Sequence, residues 1–130
     1  VFTAASSALA RLYNSFDQPV EATVILTRAM KMFPDSKYIG YVYKNLGHSY
    51  LLRQQTDSAL KYLDLSYSLL PSDSETNLFL AKAYEASGQL SKSIEQWQNY
   101  IDLEIDTAKI DTAVKHRKEL AIRQLQEIIR

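Results

Sequence analysis

One short pattern, met three times at a nearly fixed interval, restricts this chain more than any other feature. Between Tyr43 and Pro71 it reads Tyr43-x2-Leu46-Gly47-x2-Tyr50, then Ala59-x3-Leu63, then Pro71. Upstream, Ser6-x2-Leu9-Ala10-x2-Tyr13 is followed by Ala22-x3-Leu26, Ala29 and Pro34. Downstream, Asn77-x2-Leu80-Ala81-x2-Tyr84 is followed by Ser93-x3-Trp97. Tyr50 and Tyr84 are 34 residues apart; Tyr13 and Tyr50 are 37 apart, as are Pro34 and Pro71. A three-residue insertion near Lys37, Tyr38 and Ile39 accounts for the difference. Self-similarity at such a period is the mark of stacked, like units. Within each unit the apolar residues keep the helical period: Ile25, Leu26, Ala29 and Met32; Leu60, Leu63, Tyr67 and Leu70; Ile94, Trp97, Tyr100 and Ile101. The chain reads as helices and short turns, without strands.

The pattern resembles the tetratricopeptide repeat (TPR), Trp-x2-Leu-Gly-x2-Tyr…Ala-x3-Phe…Pro over about 34 residues. Its physical content is a pair of antiparallel helices in close contact. Gly47 has no side chain to hold the second helix away, and Ala59 offers a small surface opposite it. Leu46, Tyr50 and Leu63 fill the space around them, and Pro71 stops the second helix. The resemblance divides the chain into repeats at 3–36, 40–73 and 74–107. The pattern weakens after Trp97, and Ile105 stands where a repeat proline would be. A single helix over 108–130 follows, with Ile110, Ala113, Val114, Leu120, Ala121, Leu125 and Ile128 as its apolar stripe. Such a helix covers the face that a last repeat leaves bare. The implied fold is all-α: a right-handed α-α superhelix of three TPR helix pairs plus a C-terminal capping helix, seven helices in total. Charge favours this packing. Residues 73–107 carry two Lys and seven acids, net −5, and residues 108–130 carry six basic residues and three acids, net +3.

The punctuation suits helix pairs. Asp17 has N-cap chemistry ahead of a helix with Pro19 in its first turn. Asp35 or Ser36 is expected to cap the next helix, Thr56 or Asp57 the one after. Ser72 and Glu75 have capping-box spacing. Gly88 stands where a left-handed residue would close a helix.

Composition excludes several functions. Net charge is zero over 130 residues, which disfavours a polyanion such as nucleic acid as partner. Apolar runs fall well short of the roughly 20 residues of a membrane span. No cysteine is present, so disulfides and thiolate metal sites are out. The start at Val1 rather than Met suggests a piece of a longer polypeptide, and the compartment is not readable. No catalytic constellation assembles. His48 and His116 lack ligand spacing, and the three glycines do not form a phosphate loop. Asp102, Glu104, Asp106 and Asp111 lack the order of a calcium loop. The Lys115-His116-Arg117-Lys118 run reads as a solvated helix face. The expectation is no enzyme activity, no metal and no cofactor.

Binding is the better lead. The resemblance implies that the first helix of each pair lines a concave groove holding a peptide or a partner protein. Carried onto this sequence, the groove candidates are Ser7, Arg11 and Asn14 in the first repeat. In the second they are Tyr41, Lys44, Asn45, His48 and Leu52, and in the third Glu75, Leu78, Phe79, Lys82 and Glu85. Aromatic and basic side chains of this kind are frequent anchors. The clamp that co-chaperone TPR domains use for a terminal carboxylate is not reproduced: Asn45 fits, but Glu75 puts a negative charge where a positive one is needed. Trp97, Tyr13, Tyr50 and Tyr84 fall on packing positions. The alternative is a structural role, self-association of a homo-oligomer through the uncovered first repeat, where Val1, Phe2, Ala4, Ala5 and Ala8 are apolar.

Overall fold

The computed structural model describes residues 2–130, so Val1 lies outside the described residues. Seven helices follow one another: α1 (Phe2–Ser15), α2 (Pro19–Met32), α3 (Ile39–Leu52), α4 (Thr56–Leu69), α5 (Ser74–Ala86), α6 (Leu90–Leu103) and α7 (Thr107–Ile128). They pack in consecutive pairs and α7 lies against α6. The chain divides into two compact units, the first ending at Pro71 and the second starting at Ser72.

The turn inside each pair is built the same way three times. Asp17, Gln54 and Gly88 adopt left-handed backbone, with φ of 57°, 59° and 79°. The following N–H groups of Gln18, Gln55 and Gln89 donate to the carbonyls of Tyr13, Tyr50 and Tyr84 at 2.8, 2.9 and 2.9 Å. This is the Schellman closure, which satisfies carbonyls at the helix end and reverses the chain at once. Gly88 behaves as expected. Asp17 does not cap α2: it is the left-handed residue closing α1, and Gln18 precedes α2 without a side-chain cap. Neither Asp35 nor Ser36 is the N-cap of α3, which is Tyr38, although the Ser36 hydroxyl accepts from the Tyr38 N–H. Thr56 is the first residue of α4 and Gln55 precedes it. Asp73 rather than Ser72 caps α5, accepting from the Thr76 N–H at 2.9 Å.

In the first unit Ala10, Ala22, Leu26, Val42 and Leu46 form a fully buried cluster. Each leucine so buried contributes roughly 1.5–3 kcal/mol. Gly47 lets α3 and α4 close on each other. A Cβ built there would sit 2.4 Å from Leu63 Cγ and 3.3 Å from the Ala59 carbonyl oxygen. Tyr62 stacks on Tyr50 at 5.7 Å and on Tyr43 at 6.2 Å, tying the same pair together. Ser66 donates its hydroxyl to the Gly40 carbonyl across the pair.

The second unit is centred on Ala81, Leu90, Trp97, Tyr100, Ala113 and Leu120. Ser93 occupies the place that Ala59 holds in the repeat before, and its buried hydroxyl donates to the Ala81 carbonyl at 2.8 Å. The basic α7 meets the acidic segment as its charge suggests, through Glu85 with His116 and Arg123. Tyr13, Tyr50 and Tyr84 are only half-buried, because each phenol carries an apolar ring into the packing and keeps its polar tip near water. Leu9 departs from its counterparts: Leu46 and Leu80 are buried, whereas Leu9 is exposed.

Candidate functional site

Helices α5 and α7 are held apart by α6, and a cleft of about 790 Å³ opens between them. No Cα of α5 lies within 8 Å of a Cα of α7 among the described residues, so only side chains span the gap. One wall is the α5 face carrying Leu78, Lys82 and Glu85, spaced by four and three residues as a single helical stripe. The other wall is the α7 face of Lys109, Thr112, Ala113, His116 and Arg123. Trp97 and Tyr100 of α6 form the floor, and their rings pack edge to face at 6.0 Å.

A side-chain bridge joins the walls. His116 Nε2 and Glu85 Oε1 are 2.7 Å apart, and Arg123 Nη1 approaches Glu85 Oε2 at 3.9 Å. The His116 ring packs edge-on against Trp97 at 4.9 Å, so the bridge rests on the floor. Arg117 hydrogen-bonds Gln98 and Gln124 hydrogen-bonds Ser91, anchoring α7 to α6. Trp97 Nε1 is buried without a hydrogen-bond partner, an uncommon state for a donor.

The acidic residues at the head of α7 have local work. Asp106 caps the helix by accepting from the Lys109 N–H at 3.1 Å. Glu104 accepts from the N–H groups of Asp106 and Ile105, which holds its carboxyl below the ordinary value; contact with Tyr100 and the charge of Lys109 act in the same direction. Burial pushes the Tyr100 phenol above its ordinary value, and Glu104 adds to that effect. Among the described residues no group of three or more His, Asp or Glu side chains is arranged to hold a metal ion.

The structure brings three of the sequence-derived groove candidates together here, Leu78, Lys82 and Glu85. Glu75 is half-buried and Phe79 buried on the same helix. In the first unit Tyr41 and Leu52 are exposed, Arg11 is exposed and His48 half-buried. Lys44 is buried, with its ammonium 5.1 Å from the centre of the Tyr41 ring. Ser7 is also buried. Asn14 and Asn45 are buried: Asn14 exchanges hydrogen bonds with Ser49, and Asn45 donates to the Tyr41 carbonyl. Sequence reasoning missed the α7 wall and the floor. Trp97 was expected in the core, and it is both buried and part of the floor. The signal for the second wall was present in the spacing of Lys109, Ala113, His116 and Arg123, but α7 was read only as a cap.

Consecutive helix pairs closed by identical turns, with a small residue at each helix crossing, define a TPR-type fold. Among solved structures the chain is similar to one determined by NMR, the first TPR domain of the human RPAP3 protein. The TM-score is 0.72 at 17% identity, covering 91% of this chain and 96% of that one. No protein-family model matches the chain, and no match is found among curated proteins. No helix among the described residues is long and apolar enough to cross a membrane.

Proposed function

We propose that this chain is a non-catalytic protein-interaction scaffold that holds a peptide, or a segment of a partner protein, in the cleft between α5 and α7. The observation that carries this reading is the cleft itself: a preformed space of about 790 Å³ with an aromatic floor and ionic walls. That volume lies within the range of roughly 300–1,000 Å³ usual for binding sites. The TPR-type fold supports it, since a scaffold of preformed helices spends little ordering entropy when a partner arrives.

In this reading the repeat at 74–107 and the helix at 108–130 act together, the closing helix supplying the second wall. Leu78 and the Trp97 floor receive an apolar side chain, and Lys82 and Lys109 meet polar groups from opposite sides. Arg11, Tyr41, His48 and Leu52 are the accessible candidates of the first unit, belonging to the repeats at 3–36 and 40–73. A protein ligand fits better than nucleic acid, because Glu85 and Asp106 line the cleft among the basic groups and the chain has no net charge.

The test uses a random peptide library panned against the whole chain. Trp97 is the sole tryptophan, so its emission reports occupancy of the cleft. Selected peptides should shift that emission and lose at least tenfold in affinity against Thr112→Phe, which narrows the cleft from an exposed position. Peptides that bind both proteins equally and leave Trp97 silent would place binding elsewhere and defeat the proposal.

A further inference from the structure

The outer face of α1 carries Phe2, Ala5, Leu9 and Leu12, and Phe16 follows just past its end, the five separated by three, four, three and four residues. Exposures are 41% for Phe2, 44% for Leu9, 53% for Leu12 and 69% for Phe16. A strict three-four alternation is the narrow seam along which one helix meets another. The only charged side chain of α1, Arg11, lies off that seam. Phe33, 5.5 Å from Phe2, extends the apolar surface at one end.

The equivalent face of α3 shows what this surface does elsewhere in the molecule. Thirty-seven residues on, the seam becomes Ile39, Val42, Leu46, Ser49 and Arg53. Val42 and Leu46 pack with Ala22 and Leu26 of α2, so this face receives a neighbouring helix. There the last two positions are both polar, the small Ser49 and the charged Arg53. On the α1 seam they are Leu12 and Phe16. A neighbour of the ordinary stacked kind asks for no large apolar group there.

The changed positions make the α1 seam self-complementary. Rotation by a half turn about Leu9 places Phe2 opposite Phe16, Leu9 opposite its own copy, and the small Ala5 near the large Leu12. We infer that α1 is an isologous interface: two copies of this chain pair antiparallel through the seam, with the two-fold axis at Leu9. Such an interface needs the same patch on both subunits to complement itself, which this pattern provides. The seam is about 21 Å long at 1.5 Å per residue. Its two phenylalanines together expose about one whole side chain, roughly 150–250 Å² per copy. The surface is therefore at the small end for a specific interface, and the pairing is a weak, concentration-dependent one. This inference is independent of the cleft.

The experiment is sedimentation equilibrium of the whole chain from micromolar to millimolar concentration. The wild type should pass from monomer to dimer, Leu9→Glu should remain monomeric, and Val24→Glu, exposed on α2 outside the seam, should still dimerise. Because the chain has no cysteine, register can be read by oxidation of single-cysteine variants. Leu9→Cys should cross-link to itself. Phe2→Cys should cross-link to Phe16→Cys in a mixture, and neither should cross-link alone. A wild type that stays monomeric throughout, or a dimer indifferent to Leu9→Glu, overturns the interface. Self-cross-linking of Phe2→Cys overturns the antiparallel arrangement.

Discussion

Replacing Gly47 by alanine sets two known effects against each other. In a helix interior, alanine is favoured over glycine by about 1 kcal/mol. At Gly47 the added methyl would lie 2.4 Å from Leu63 Cγ and 2.6 Å from Leu63 Cδ2. Leu63 is fully buried, so it cannot swing into solvent, and α3 and α4 must separate or Leu63 must leave its rotamer. Overpacking of this kind costs about 1–3 kcal/mol. The net expectation is a loss of about 1 kcal/mol, with 2 as the upper end. Gly40 is the internal control, because it too is helical and its added methyl meets Leu70 only at 3.0 Å. Leu70 is half-buried and can give way, so Gly40→Ala should fall within about 0.5 kcal/mol of wild type. Urea unfolding of the three proteins side by side decides the matter. The double variant Gly47→Ala with Leu63→Ala adds a second check: its cost should be smaller than the sum of the two single costs, since removing the leucine relieves the clash. A Gly47→Ala protein as stable as Gly40→Ala would refute the reasoning about the helix crossing.

Gln54 holds a left-handed backbone that costs an ordinary residue about 1–2 kcal/mol, so Gln54→Gly should stabilise by about 0.5–1 kcal/mol after glycine's entropy is counted, read as a higher urea midpoint. Gly88→Ala should destabilise by about 1 kcal/mol despite open space around it, because φ there is +79°. Tyr100 has a raised pKa, so the fold favours its neutral phenol. That contribution is complete below the ordinary value of 10.0 and is lost as pH rises from there through the folded value, and Tyr100→Phe should flatten the alkaline limb of the stability curve. Glu104 is the opposite case: its lowered pKa gives stability above the ordinary value of 4.5 that is lost as pH falls through the folded value, and Glu104→Gln should flatten the acid limb.

The helix pairs were legible because Leu46, Gly47, Tyr50, Ala59 and Leu63 encode a helix crossing that only one geometry satisfies, and the same arrangement recurs around Ala10 and Ala81. Two of the three left-handed turns were not. Gly88 announces itself, whereas Asp17 and Gln54 adopt the same conformation only because the flanking helices and the Tyr13 and Tyr50 carbonyls impose it. The α5 wall of the cleft was visible in Leu78 and Lys82, since groove-lining follows from helix order. The opposite wall depends on where α7 settles over Trp97 and Tyr100, a tertiary outcome that no local pattern fixes. The α1 seam is half visible in the sequence: Phe2 and Ala5 read as an apolar edge, whereas Leu9 stands at the pattern position of the buried Leu46 and is itself exposed. What buries Leu46 is its place against Ala22 and Leu26, and no described helix lies in that position for Leu9.

In the second unit α5 packs on α6 and α6 on α7, so each helix rests on the one made just before it. The turns between them are short and two of them carry their own hydrogen-bonded closure or cap, at Gly88 and Asp106. Little loop entropy has to be overcome before each new helix finds its support. Structure of this kind forms quickly, on the microsecond to millisecond scale typical of locally connected helical proteins. It also forms in order. During synthesis from the N-terminus, α5 and α6 can pair before α7 exists, and the aromatic floor of the cleft is laid down while its second wall is still to come.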